Sequence, residues 1–117
     1  MTAVAQGDVA RPFAWDATDH ELGEPVRRRV IQCALSRICG VCGDTLGRPL
    51  AFVGTAGEVG RNEFHRPPLH VACADELRHR TGADPAWQVV LTAGFELLRP
   101  GRDDLDREPR FEPNSLL

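Results

Sequence analysis

Residues 37–47 read Arg37-Ile38-Cys39-Gly40-Val41-Cys42-Gly43-Asp44-Thr45-Leu46-Gly47, and residues 67–74 read Pro67-Pro68-Leu69-His70-Val71-Ala72-Cys73-Ala74. A Cys-x2-Cys turn alone has three readings: half of a metal site, a redox pair, or two neighbouring thiols. His70 and Cys73 narrow the choice. Through Cys39, Cys42, His70 and Cys73 the chain reads Cys-x2-Cys-x27-His-x2-Cys. Structural zinc takes four nitrogen or sulfur ligands in a tetrahedron, and this set offers three thiolates and one imidazole.

Each half of the pattern has a local rationale. Gly40 and Gly43 let the backbone bend sharply, so that amides turn toward the two thiolates. His70 and Cys73 are spaced i, i+3 at the start of a helix predicted over residues 70–80 and closed by Gly82, which puts both on one face. The positive helix end favours the Cys73 thiolate. A redox Cys-x-x-Cys sits at a helix N-terminus after a strand in a βαβ setting. Here the motif follows a helical pattern and precedes a strand pattern. Cys33 lies six residues before Cys39 and reads as a small core residue. His65 is a competing ligand, separated from Cys73 by Pro67-Pro68. His20 and His79 read as solvated.

Working outward, Val26, Val30, Cys33, Ala34 and Arg37 recur at helical spacing, with Pro25 suited to a first turn. Leu50 to Val53 is strand-like, and Gly54, Gly57 and Gly60 punctuate the stretch after it. This predicts a β-hairpin with a loose, Gly-rich connection. Knuckle, hairpin and ligand-bearing helix together make a treble-clef layout. The expected fold is therefore α+β: a small treble-clef-like zinc finger with a preceding helix and a C-terminal helix or strand. The C-terminal element is ambiguous. Trp87, Val89, Leu91, Ala93, Phe95 and Leu97 alternate as a strand would. Asp84 as N-cap with Pro85 behind it favours a helix instead, weakened by Gly94.

The chain of 117 residues suits one small domain. Residues 1–24 carry Asp8, Asp16, Asp19, Glu21 and Glu24 against Arg11 and show no periodicity. They predict a flexible N-terminal arm, anchored by Phe13 and Trp15. Residues 25–100 hold the zinc-finger domain with flanking helices, and residues 101–117 an extended C-terminal tail. Aromatic residues make up 6% of the chain and Tyr is absent, so the core is lean and a metal staple is expected. The net charge of −3 argues against a general polycation, and every basic residue is Arg. No apolar run approaches the roughly 20 residues of a membrane span. The first residues lack the pattern of a secretion signal, so a cytoplasmic location is expected. In a reducing compartment, four cysteines favour metal or free thiols over disulfides.

The stretches CGVCGDTLGRPLAFVG and FHRPPLHVACADEL resemble a group of small zinc-finger proteins of actinobacteria and their phages. The matching residues are Cys39, Cys42, Gly43, Leu46, Gly47, Ala51 to Val53, Pro67, Pro68, His70, Cys73 and Ala74. They span about a third of the chain. The resemblance implies a treble-clef zinc site and carries no activity over. Between Gly54 and His65 this chain departs from the group's pattern, being Gly-rich and charged there.

The residues support three functional classes. The first is a non-catalytic binding or accessory module, with structural zinc and an unidentified protein partner or self-association. The second is a nucleic-acid-binding finger using Arg27, Arg28, Arg29, Arg78 and Arg80, with Arg37 and Arg48 adding to the local positive charge. The third is a His-metal nuclease, for which the RNEFH stretch offers Asn62 and His65. A filled Cys-rich site leaves no position for catalytic water, so no enzyme is expected. No membrane partner is expected either.

Overall fold

The computed structural model describes residues 12–16, 21–99 and 109–115. The order is α1 (Arg27–Ser36), β1 (Leu50–Gly54), α2 (Ala56–Arg61), α3 (Val71–Arg78), β2 (Gln88–Thr92), β3 (Gly94–Leu98) and β4 (Arg110–Ser115). Two small antiparallel sheets, β1–β2 and β3–β4, and a Cys3His cluster make this a mixed α+β domain, consistent with a small zinc-finger-like fold. Among the described residues no helix is long and apolar enough to cross a membrane.

α1 buries Val30, Cys33 and Ala34, the stripe read from the spacing. It ends at Arg37, whose left-handed conformation (φ 52°) turns the chain into the Cys-x2-Cys stretch. α3 begins one residue after His70, which is its N-cap, and buries Cys73, Ala74 and Leu77.

Two expectations are corrected. The predicted hairpin between Leu50 and Pro67 is replaced by a strand and a helix. β1 pairs along its length with β2, and its other edge meets the returning chain only at Leu69, opposite Ala51. The Gly-rich segment between them is α2. Its Thr55 Oγ1 accepts from the Glu58 N–H (3.2 Å), and Glu58 Oε1 accepts from the Thr55 N–H (2.9 Å). That reciprocal cap satisfies two otherwise orphaned donors and offsets the roughly 1 kcal/mol that each helical glycine costs.

The helix favoured over Trp87 to Leu98 is instead two strands, β2 and β3. Asp84 does cap an N–H, that of Ala86 at 2.8 Å, but the Trp87 N–H then closes onto the Asp84 carbonyl at 3.1 Å. The Asp-Pro pair starts a turn, and the β-branched Val89, Val90 and Thr92 prefer the pleated surface beyond it.

Phe52 on β1 packs against Phe64, Phe95 and Phe111, with ring centroids 5.5–5.6 Å apart. This cluster joins the two sheets, since Phe95 is on β3 and Phe111 on β4. The described part of the expected arm is packed rather than free. Ala14, Trp15 and Leu22 are buried, and the Phe13 and Ala14 N–H groups donate to the carbonyls of Val41 and Gly40. His20, residues 100–108 and Leu116-Leu117 lie outside the described residues.

Candidate metal centre

The knuckle is built by its own backbone. Ile38 and Thr45 form a single antiparallel bridge, the Cys39 N–H donates to the Asp44 carbonyl (2.8 Å), and the Gly43 N–H donates to the Cys39 carbonyl (2.9 Å). Gly43 sits at φ 78°, a conformation that side chains resist. Gly40 is needed for another reason: a Cβ there would run into the buried Pro67 ring. The Gly40 N–H donates to the Pro68 carbonyl at 2.9 Å, so the Pro67-Pro68 pair clamps the knuckle against the approach to α3.

This clamp brings Cys39 and Cys42 to His70 and Cys73. One donor atom from each of the four lies within 4.8 Å of all the others. Cys42 Sγ is 3.3 Å and Cys73 Sγ 3.9 Å from His70 Nδ1. A tetrahedron with metal–nitrogen and metal–sulfur arms of about 2.0–2.3 Å has edges of about 3.3–3.8 Å, so the donor set fits a single ion. The His70 tautomer is decided by the Thr45 carbonyl, 2.9 Å from Nε2. A carbonyl only accepts, so Nε2 carries the proton and Nδ1 presents its lone pair to the thiols. The backbone N–H groups of Val41 (3.3 Å) and His70 (3.4 Å) both point at Cys39 Sγ.

Burial raises the pKa of Cys73 above the usual thiol range, and the neighbouring Cys39 and Cys42 raise it further. Cys42 is raised chiefly by burial, with the Asp44 N–H acting the other way. Cys42 and Cys73 therefore resist ionising in this crowded cluster unless a cation neutralises them. A divalent ion would supply that charge.

The other candidates separate from this group. Cys33 is buried outside the four-donor cluster, and burial followed by the Cys39 charge pushes its thiol up to about 12. His65 lies outside the four-donor cluster too. Its Nδ1 donates to Glu58 Oε2 at 3.0 Å. Among the arginines, Arg27, Arg28 and Arg78 are exposed. Arg29 donates to the Phe13 carbonyl (3.4 Å) and Arg80 pairs with Glu76 (2.9 Å). Asn62 Nδ2 donates to the Pro113 carbonyl at 2.9 Å.

No family model matches the chain, and neither the curated proteins nor the solved structures hold a match to it.

Motif spacing did not reveal a buried anion elsewhere in the fold, Glu58. Glu58 accepts from the Thr55 and His65 N–H groups, from His65 Nδ1, and from Arg66 at 2.7 Å. Arg66 in turn lies 4.5 Å above the Trp87 ring centroid. Burial alone would raise the Glu58 carboxyl, but Thr55, His65 and Arg66 outweigh it and hold it at about 2. The Thr55-x-x-Glu58 spacing is a capping-box signature and was the available signal.

Proposed function

We propose that this chain is a non-catalytic binding or accessory module, held together by one structural zinc ion and acting through protein–protein contact. The observation that carries the zinc reading is the convergence of Cys39, Cys42, Cys73 and the Nδ1 face of His70 on one point. Four nitrogen and sulfur donors complete a tetrahedral shell, and that chemistry favours zinc in a structural role. The treble-clef reading is supported by the order of parts: a Cys-x2-Cys knuckle, a strand whose edge meets Leu69, and a helix with a ligand in its first turn.

A non-catalytic role is supported by the use already made of polar groups a nuclease would need. His65 and Asn62 each hold the fold together through hydrogen bonds. Protein contact is favoured over nucleic acid because the net charge is −3 and Arg29 and Arg80 have partners within the chain. A cytoplasmic location belongs to the same reading, since free thiolates for zinc need reducing surroundings.

Chelator titration followed by circular dichroism tests the central claim. Metal removal is expected to abolish the fold, because zinc binding is worth roughly 10–16 kcal/mol in small fingers. Native circular dichroism persisting after complete removal refutes a structural role.

A further inference from the structure

Among the described residues, the β1–β2 sheet is bridged on the outer side of β1 at Ala51 and carries no paired strand on the outer side of β2. Ala51 donates to and accepts from Leu69, at 2.8 and 2.9 Å. In an antiparallel ladder a residue sends its N–H and C=O to the same side, and directly opposed residues do so together, toward or away from each other. Ala51 opposes Leu91, and Val53 opposes Val89. Ala51 turns both groups away from β2, so Leu91 turns both away from β1, and by alternation Val89 does too. β2 is terminal in its sheet, and these groups form its outer edge.

Monomeric proteins blunt such edges with charge, proline or a bulge. The other sheet has all three: Glu96, Arg110 and Glu112, Pro113, and a register shift between Gly94 and Phe95. β2, Gln88-Val89-Val90-Leu91-Thr92, has none. The surface beside this edge mixes apolar side chains with two charges. A groove of about 720 Å³ between α3 and β2 is lined by Val71, Ala72, Asp75, Arg78, Val89 and Leu91. Val71 is 38% and Leu91 40% exposed, high for large hydrophobic side chains. The charges in the groove are Asp75 and Arg78, three residues apart on α3, both exposed.

Opposite charges three apart on one helix face complement themselves across a two-fold axis. We infer that the occupant of this surface is a second copy of this chain. β2 of each copy pairs antiparallel about an axis normal to the sheet. The two α3 helices then lie on the same face of a continuous four-stranded sheet. Asp75 meets Arg78 of the partner subunit, and the reverse. Val71, Val89 and Leu91 leave water, and the open edge gains hydrogen bonds. This deepens the binding-module reading and rests on it.

Sedimentation velocity on the zinc-loaded full chain tests the pairing. The expected mass is twice the 12.9 kDa of one chain at about 100 µM, well above a micromolar dissociation constant. Asp75→Arg sets Arg against Arg78 of the partner subunit and should weaken the dimer at least about tenfold. Leu91→Lys blunts the edge and should do the same. The double variant Asp75→Arg/Arg78→Asp restores self-complementarity and should restore the dimer. Zinc content and circular dichroism, measured on each variant, are expected to match the parent. A parent that is monomeric at this concentration, or a dimer indifferent to all three changes, overturns the pairing. A monomer with one zinc per chain leaves the metal-held module standing. A dimer that survives metal removal unchanged overturns the module and not the pairing.

Discussion

The Thr45 carbonyl accepts the Nε2 proton of His70 at 2.9 Å, and this one contact aims the Nδ1 lone pair at Cys42 and Cys73. Thr45 belongs to the knuckle and His70 caps α3. The bond therefore ties the two halves of the candidate metal centre together outside the donor set, and it sets which ring nitrogen is free to bind.

Ligation through Nδ1 uses the ring nitrogen nearer the backbone, about where a cysteine sulfur at the same position would sit. His70→Cys is therefore expected to retain the metal, while His70→Ala loses it. Cobalt substitution checks this. The thiolate-to-metal absorption should strengthen in His70→Cys and vanish in His70→Ala. Loss of the metal in both variants would count against Nδ1 ligation.

Cys33 is a buried thiol apart from the cluster, so Cys33→Ala should keep one metal per chain. The cost should be about 1 kcal/mol, that of a small cavity. Metal analysis and denaturant melts report the two quantities separately. A fall in metal stoichiometry would place Cys33 among the ligands after all.

Gly40 and Gly47 make a matched pair around the knuckle. A methyl group at Gly40 meets the buried ring of Pro67, whereas nothing lies within 4 Å of one at Gly47. Gly40→Ala is expected to cost about 1–3 kcal/mol by overpacking. Because folding and metal binding are linked, its apparent metal affinity should fall about tenfold or more. Gly47→Ala should stay within about 0.5 kcal/mol of the parent. Competition against a coloured chelator measures both. Equal affinities would show that Pro67 does not clamp the knuckle.

Glu58 is held ionised by Thr55, His65 and Arg66, against the burial that opposes it, with its carboxyl at about 2 in place of an ordinary 4.5. A depressed carboxyl stabilises the fold fully above the ordinary value and loses that contribution as pH falls toward the folded value. Glu58→Gln should therefore cost about 2–3 kcal/mol at pH 7, as a buried charge network loses its anion. The gap between variant and parent should narrow between pH 4.5 and about 2. Urea melts of the two proteins at pH 7 and at successively lower pH follow that gap. A gap constant down to the acid limit would remove Glu58 as the source.

The four-donor cluster was legible because metal-binding chemistry acts on residue type and spacing. A bent knuckle sets Cys39 beside Cys42 and one helical turn sets His70 beside Cys73, while the Pro67-Pro68 clamp brings the two pairs together. α1 was legible for a similar reason, since Val30, Cys33 and Ala34 recur at helical period. The Thr55-Glu58 cap was written locally too, but the glycines around it read as hairpin punctuation. The Asp84-Pro85 pair misled in the other direction, because one local chemistry opens both helices and turns.

The sequence by itself determined the two donor pairs, the first helix, and the helix that carries Cys73, all from interactions within a few residues along the chain. Only the tertiary structure decided that β1 pairs with β2 rather than with a neighbouring hairpin arm. It likewise brought Phe52, Phe64, Phe95 and Phe111 into one cluster and laid Phe13 and Ala14 against the knuckle. Strand pairing and core packing join residues far apart in sequence, so their free energy depends on which faces meet. That choice is made by the folded whole.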